Sequence, residues 1–286
     1  TFPMPIGNEG SGVVIGSGGG VYAGSLVGKT VGVLAAQAKD QGTYQEYITL
    51  PATAVFPMKD VPVEDVASFF VNPVTAYAIY DISKTRKSKA VVHTAAASQL
   101  GQMLVKLCKM QGDMVPINVV RRQDQADILK AIDPSVPVVV QANSNWETQL
   151  TDLIKEYKCS VAFDAVAGEL TGTIVGCMPP KSITYVYGGL SGQGVGNVPV
   201  MDLIYKHKKV EGFLVVNWIN FKDPIGALLR MSRALKIVNQ GLKPGGWATS
   251  QFKDCTLADM KDRFNTMMGP GGSFTGQKLR IMLNKD

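Results

Sequence analysis

From about Ala90 to Phe213, short apolar runs alternate with stretches whose apolar residues recur at helical spacing. That alternation predicts strands joined by crossover helices, and so a parallel sheet. Strands are expected at Ala90–His93, Val115–Val119, Val136–Val140, Val161–Phe163, Ile183–Val186 and Val210–Phe213. Between the first two, Leu100, Met103, Leu104, Leu107 and Cys108 trace one face of a helix over 100–110, completing a βαβ unit. Further crossovers fit Gln125–Ala131, Trp146–Tyr157 and Glu169–Cys177, which makes a doubly wound sheet of about six strands.

Outside that block the texture changes. Gly7–Gly20 is glycine-rich, and Val27–Leu34 and Gly42–Leu50 read as short strands. Beyond Phe213 the pattern predicts a helix over Ile225–Asn239, a break at Gly241–Gly246, a strand at Trp247–Phe252, a helix over Leu257–Met267 and a closing strand at Leu279–Leu283. Gly269–Gly272 reads as a surface turn. The two ends are expected to form one discontinuous β-rich domain into which the α/β domain is inserted.

Composition narrows the class. With 286 residues, 45% hydrophobic and only 18% charged, the chain can bury one large core or two smaller ones, which excludes disorder. No run reaches the ~18 apolar residues of a membrane-spanning helix, and Thr1–Pro5 lacks the order of a signal peptide, so no membrane span is expected. Four cysteines without a CxxC pair argue against a zinc ribbon, a redox dithiol or a disulfide framework, and favour a reducing compartment. The net charge of +6 lies in short groups such as Lys84–Lys89 and Lys206–Lys209. Those groups read as solvated faces; an anion-binding or nucleic-acid surface is the minority reading, and no specific nucleic acid is expected as a partner.

A dinucleotide fingerprint requires a strand, a tight turn and a helix N-terminus whose N–H groups face a pyrophosphate. Here Val91-Val92-His93 runs into Thr94-Ala95-Ala96-Ala97-Ser98-Gln99-Leu100-Gly101, and of the three glycine positions only Gly101 holds glycine; Ala96 and Ser98 take the others. Alone this is a weak signal, equally compatible with an ordinary βα turn. The next strand adds to it. It ends Ile117-Asn118-Val119-Val120-Arg121-Arg122, where an NAD site would carry an acidic residue for the ribose 2′-OH. A guanidinium fork matches a 2′-phosphate, so Arg121 and Arg122 favour NADP; two solvated loop arginines are the bland alternative.

With these residues in view the chain resembles the medium-chain dehydrogenase/reductase superfamily over nearly its whole length, in particular the zinc-free quinone oxidoreductase-like branch. The landmarks are Gly7-Asn8-Glu9-Gly10-Ser11-Gly12-Val13-Val14, Val71-Asn72-Pro73-Val74-Thr75-Ala76-Tyr77, the turn Ala95–Gly101, Phe163-Asp164-Ala165-Val166, and Tyr187-Gly188-Gly189. The segment Ile117–Arg122 and Gly212-Phe213 with Trp218 also look like the mitochondrial 2-enoyl-thioester reductases. The resemblance implies a Rossmann sheet over 81–219 inserted in a GroES-like catalytic domain formed by 1–80 and 220–286, and NADPH as cofactor. Asn72 and Thr75 would approach the nicotinamide half, Ala97, Ser98, Gln99 and Leu100 the pyrophosphate, and Arg121 and Arg122 the 2′-phosphate. Val166, Gly188 and Gly189 would meet the ribose and nicotinamide, and the backbone from Phe213 to Val215 the carboxamide. Pro73 and Thr75 could equally just start a helix, Gly188-Gly189 close a strand, and Asp164 stabilise its own turn.

No metal is expected. Zinc members carry Gly-His-Glu where this chain has Gly7-Asn8-Glu9, and an amide is a poor substitute for imidazole. The four-cysteine structural zinc loop is missing, and the two histidines, His93 and His207, read as structural. Without a metal to polarise a carbonyl, hydride delivery to a quinone or an enone is the expected chemistry. A proton is also needed; Tyr44, Tyr77 and Tyr187 are candidates by residue type alone, and the catalytic residues stay unassigned. Phe2-Pro3-Met4-Pro5-Ile6-Gly7 matches a point well inside a typical member, so either the chain is incomplete or its catalytic domain is N-terminally shortened, leaving strand edges for a partner to cover. The ending, Gly276-Gln277-Lys278-Leu279, follows the family only loosely. Three functions result: a zinc-independent NADPH-dependent quinone or enone reductase, a 2-enoyl-thioester reductase, or a non-catalytic subunit of a larger, possibly mitochondrial, assembly. A homo-oligomer in the cytoplasm or mitochondrion, pairing near Val210–Val216, accompanies the first.

Overall fold

A computed structural model describes residues 5–35, 41–220, 222–268 and 276–283 of the chain. Two compact units are present: Thr1–Val74 with Arg233–Asp286, and Thr75–Ser232. The first unit opens with β1 (Glu9–Val13), the short helix α1 (Val21–Gly24), β2 (Thr30–Leu34) and β3 (Val55–Pro57). The strands form an antiparallel sheet in the order β1-β2-β3. Helix α2 (Val71–Thr85) carries the chain across the unit boundary.

The second unit follows the alternation predicted from the sequence: β4 (Ala90–Thr94), α3 (Gln99–Gln111), β5 (Val115–Val120), α4 (Gln123–Ile132), β6 (Val138–Val140), α5 (Trp146–Glu156), β7 (Val161–Asp164), α6 (Glu169–Cys177), β8 (Ile183–Val186), α7 (Val200–Tyr205) and β9 (Lys209–Gly212). Its six strands are parallel in the order β6-β5-β4-β7-β8-β9. The chain leaves β4 toward β5 and β6 on one side, then returns to β7 on the other. That reversal is the switch point at which doubly wound sheets open a crevice beyond the strand ends. Val92, Ile117, Val119 and Ala162 of the sheet pack with Leu150, Ile154 and Ile174 of the helices in one buried cluster. Helix α3 starts where Ser98 accepts from the Gly101 N–H and stops at Gly112, whose φ of 72° continues no helix. Its face of Met103, Leu104, Leu107 and Cys108 is buried, as the spacing required.

Beyond β9 come α8 (Val215–Ile219) and α9 (Pro224–Gly241), then, in the first unit, β10 (Phe252–Cys255), α10 (Met260–Met268) and β11 (Lys278–Ile281). β10 and β11 pair in parallel. No helix of the described residues is long and apolar enough to cross a membrane.

Several expectations for the flanks need correction. Residues 42–50 form no strand. Thr43 and Tyr44 bond instead to the backbone of residues 6–9, and a Cβ on Gly42 would stand 2.0 Å from the Ile6 carbonyl, so close irregular packing replaces a ladder. The strand expected at Trp247–Phe252 begins only at Phe252, because the Trp247 ring lies against Gly241 and Ala248 N–H donates to the Gly241 carbonyl. Helix α10 starts three residues later than Leu257; Thr256 and Asp259 first close a turn on one another. The basic group 206–209 is not uniformly solvated. Lys208 is buried, its ammonium donating to the carbonyls of Val175 and Gly176 at the end of α6 and paired with Asp202 at 2.5 Å. The turn expected at Gly269–Gly272 and the residues Thr1–Met4 lie outside the described residues.

Candidate functional site

Most of the residues singled out in the sequence gather at the C-terminal ends of β5, β4, β7 and β8. After β4 the chain turns through Ala95, whose φ is 49°, and enters α3 behind the Ser98 cap. The first turn of a helix leaves backbone N–H groups without intrahelical partners, which suits an anion. Gly101 fits there for a steric reason: a Cβ would lie 2.1 Å from the carbonyl oxygen of Ala96. Ala96 and Ala97 are buried beneath this turn. Val166 follows β7, and Gly188-Gly189 follows β8. The two turns are laced together by Leu190 N–H to the Ala165 carbonyl and Ser191 N–H to the Val166 carbonyl, at 3.1 and 2.9 Å. Gly188 needs to be glycine, since a Cβ would meet the Ala165 carbonyl at 2.7 Å, whereas Gly189 faces open space.

Arg121 and Arg122 stand just beyond β5, one strand from the turn. Gln125 Oε1 accepts from both of their backbone N–H groups and fixes the entry to α4. The Arg122 guanidinium is held by Asp124 through two 3.0 Å bonds, and among the described residues Arg121 makes no ion pair. That clamp holds the Asp124 carboxyl below its usual range and raises Arg122. Asp124 was not singled out in the sequence, although its place two residues after Arg122 was the available signal.

Other sequence candidates fall elsewhere. Asn72 belongs to the first unit and Thr75, buried in α2, to the second. Phe213 N–H donates to Val186, and its ring packs on Phe163 and Tyr185; Val215 is buried in α8. Tyr187 does not offer a free phenol. Its hydroxyl is bonded to His93 Nε2 at 2.7 Å, and burial raises its pKa, making it a weaker acid. Tyr77 is buried with its ring against the edge of Trp218, whose indole donates to Asp81, while Tyr44 is exposed in the first unit.

Among the described residues no three His, Cys, Asp or Glu stand together to hold an ion. Glu9 is otherwise engaged: its Oε2 accepts from the N–H groups of Phe70 and Val71 at the start of α2, and its Oε1 lies 3.4 Å from the Lys278 ammonium.

A six-stranded parallel sheet with a capped helix starting at its switch point defines a doubly wound α/β protein, and comparison with known proteins narrows it. The family model described as zinc-binding dehydrogenase matches residues 100–230. The solved structure of a provisionally named NADPH:quinone reductase from Mesorhizobium loti is 33% identical, with a TM-score of 0.77, over 88% of this chain and 71% of that one. The mitochondrial enoyl-[acyl-carrier-protein] reductase of Xenopus tropicalis is 31% identical over 56% of this chain and 46% of its own length. Prostaglandin reductase-3 of Mus musculus is 31% identical over 66% of this chain and 48% of its own length. The chain belongs to the medium-chain dehydrogenase/reductase superfamily, among its quinone oxidoreductase-like and enoyl reductase-like members. It spans about half the length of these two curated relatives.

Proposed function

We propose that the protein is a zinc-independent reductase that uses NADPH to reduce a quinone or an activated carbon–carbon double bond. The observation that carries this reading is the arginine pair directly beyond β5, where the coenzyme's ribose would lie. NADPH, when bound, supplies the hydride. Ala97–Leu100 at the start of α3 would hold its pyrophosphate and Arg121, with Arg122, its 2′-phosphate, a planar fork on a dianion. Gly188 lets the turn after β8 close onto that after β7, and Val166 with Gly189 would face the nicotinamide side. Phe213 packs the end of β9 against β7 and β8 and sets the backbone that would border the carboxamide.

The test is calorimetric titration with NADPH and NADH, wild type beside Arg121→Ala/Arg122→Ala. NADPH affinity is expected to fall by at least ~2 kcal/mol in the double variant, with NADH binding unchanged. Absence of binding by the wild type overturns the reading and leaves a non-catalytic subunit. A second acceptor is favoured by the enoyl reductase relatives: turnover of an enoyl thioester but not of quinones would select it. The same relatives' names support a mitochondrial location.

Homodimerisation is part of the proposal. β9 ends the sheet, and a two-fold axis through Val210 would set Lys209 opposite Glu211 of the partner subunit. Sedimentation should show a dimer for the wild type and a monomer for Glu211→Lys, which places like charges opposite one another.

A further inference from the structure

Three adjacent strands, β4, β7 and β8, lead into turns of the coenzyme site, and the polar residues at their ends are bonded to one another. β4 ends in His93-Thr94, β7 in Asp164, and Tyr187 follows β8 immediately before Gly188. His93, Thr94 and Asp164 are fully buried, as is Thr171 on α6. Four donors converge on the Asp164 carboxylate. Thr94 Oγ1 and the Val166 N–H give to Oδ1 at 2.7 and 2.9 Å; Thr171 Oγ1 and the Ala167 N–H give to Oδ2 at 2.6 and 3.2 Å. Thr94 Oγ1 in turn accepts from the Ala165 N–H at 2.9 Å. Tyr187 N–H donates to the Asp164 carbonyl, and the His93–Tyr187 side-chain bond reaches from β4 over β7 to β8. The turn so held contains Ala167 at a φ of 61°, a conformation a non-glycine residue adopts only at a cost and under restraint.

A local turn needs one or two such bonds. Here the Val166 and Ala167 bonds are local, but Thr94–Asp164, His93–Tyr187 and Tyr187 N–H to the Asp164 carbonyl link the ends of different strands, and His93, Thr94, Asp164 and Tyr187 are each followed within two positions by a turn assigned to the coenzyme. We propose that Asp164, with Thr94 and the His93–Tyr187 pair, is a positioning device that fixes the turns at Val166 and Gly188-Gly189 relative to the phosphate-side turn after β4. The grip on the nicotinamide half of NADPH therefore depends on this lattice, while the grip on the 2′-phosphate, at Arg121 and Arg122, does not. The inference rests on the coenzyme reading above.

The test separates the two halves of the ligand. NADPH and 2′,5′-ADP, which carries the adenosine half with its 2′- and 5′-phosphates and lacks the nicotinamide half, are titrated into the wild type and Asp164→Asn. An amide cannot accept from four donors, because its nitrogen presents two N–H groups of its own. Asp164→Asn is therefore expected to weaken NADPH about tenfold or more and leave 2′,5′-ADP within about twofold. Equal weakening of both ligands, or an unchanged NADPH affinity, overturns the proposal. Wild-type protein that binds neither ligand overturns the coenzyme reading itself, and this inference with it. Should Asp164→Asn not fold, Thr171→Val and Thr171→Ser carry the same test. Valine, which removes one donor, should weaken NADPH alone, and serine, which keeps the hydroxyl, should restore it; identical NADPH affinities for the two variants overturn the proposal.

Discussion

Gly101→Ala should unfold at lower urea than the wild type and lose NADPH binding. Two effects oppose one another. Alanine is the better helix former by about 1 kcal/mol, and Gly101 is the third residue of α3. Against that, its Cβ would stand 2.1 Å from the Ala96 carbonyl oxygen and 2.7 Å from the Ala96 Cα. The obstacle is backbone rather than a flexible side-chain tip, so α3 must move off the turn, and overpacking of this kind costs about 3 kcal/mol. The overlap wins by about 2 kcal/mol. Equal or greater stability of the variant in urea melts would show that α3 does not approach the strand end this closely.

Acid should destabilise the protein through His93. Burial brings the pKa of this imidazole down to about 4, against 6.5 for a free histidine. Between those values the unfolded chain takes up a proton that the folded one refuses, so stability is complete above pH 6.5 and declines as the pH falls toward 4. The gap is worth about 3 kcal/mol at most. Urea titrations at pH 7 and pH 4.5 should show a loss of that order in the wild type and a smaller one in His93→Asn, which cannot charge. If wild type and variant lose stability in parallel, His93 is not the group responsible.

The legibility of the sequence followed the physics of burial. In the second unit strands β4 to β7 are largely buried and helices α3 to α6 bury an apolar face, so apolar runs and helical periodicity marked the sheet strands to within a few residues, the exposed edge strand β9 included. Ser98 and Gly112 explain why α3 begins and ends where it does. In the first unit short strands carry glycines and polar residues, and hydrogen bonds from Thr43, Gln45 and Thr256 replace the ladders that periodicity assumes. Arg121 and Arg122 could be placed because a strand end locates them. The Asp164 lattice could not, since Thr94 and Asp164 are 70 residues apart and His93 and Tyr187 are 94 apart. The burial of Lys208 was equally hidden, its carbonyl partners lying 33 and 32 residues upstream.

Those long separations bear on how the protein folds. The turn after β4 and the helix behind it are local and can form early, but β4 and β7 meet only after β5 and β6 have been wound between them in sequence. Loop closure over such spans is entropically costly and slow. During refolding the 93–187 and 94–164 bonds should be among the last to form. Coenzyme added at the start of refolding should leave the early phases unchanged and capture only molecules that have completed the sheet.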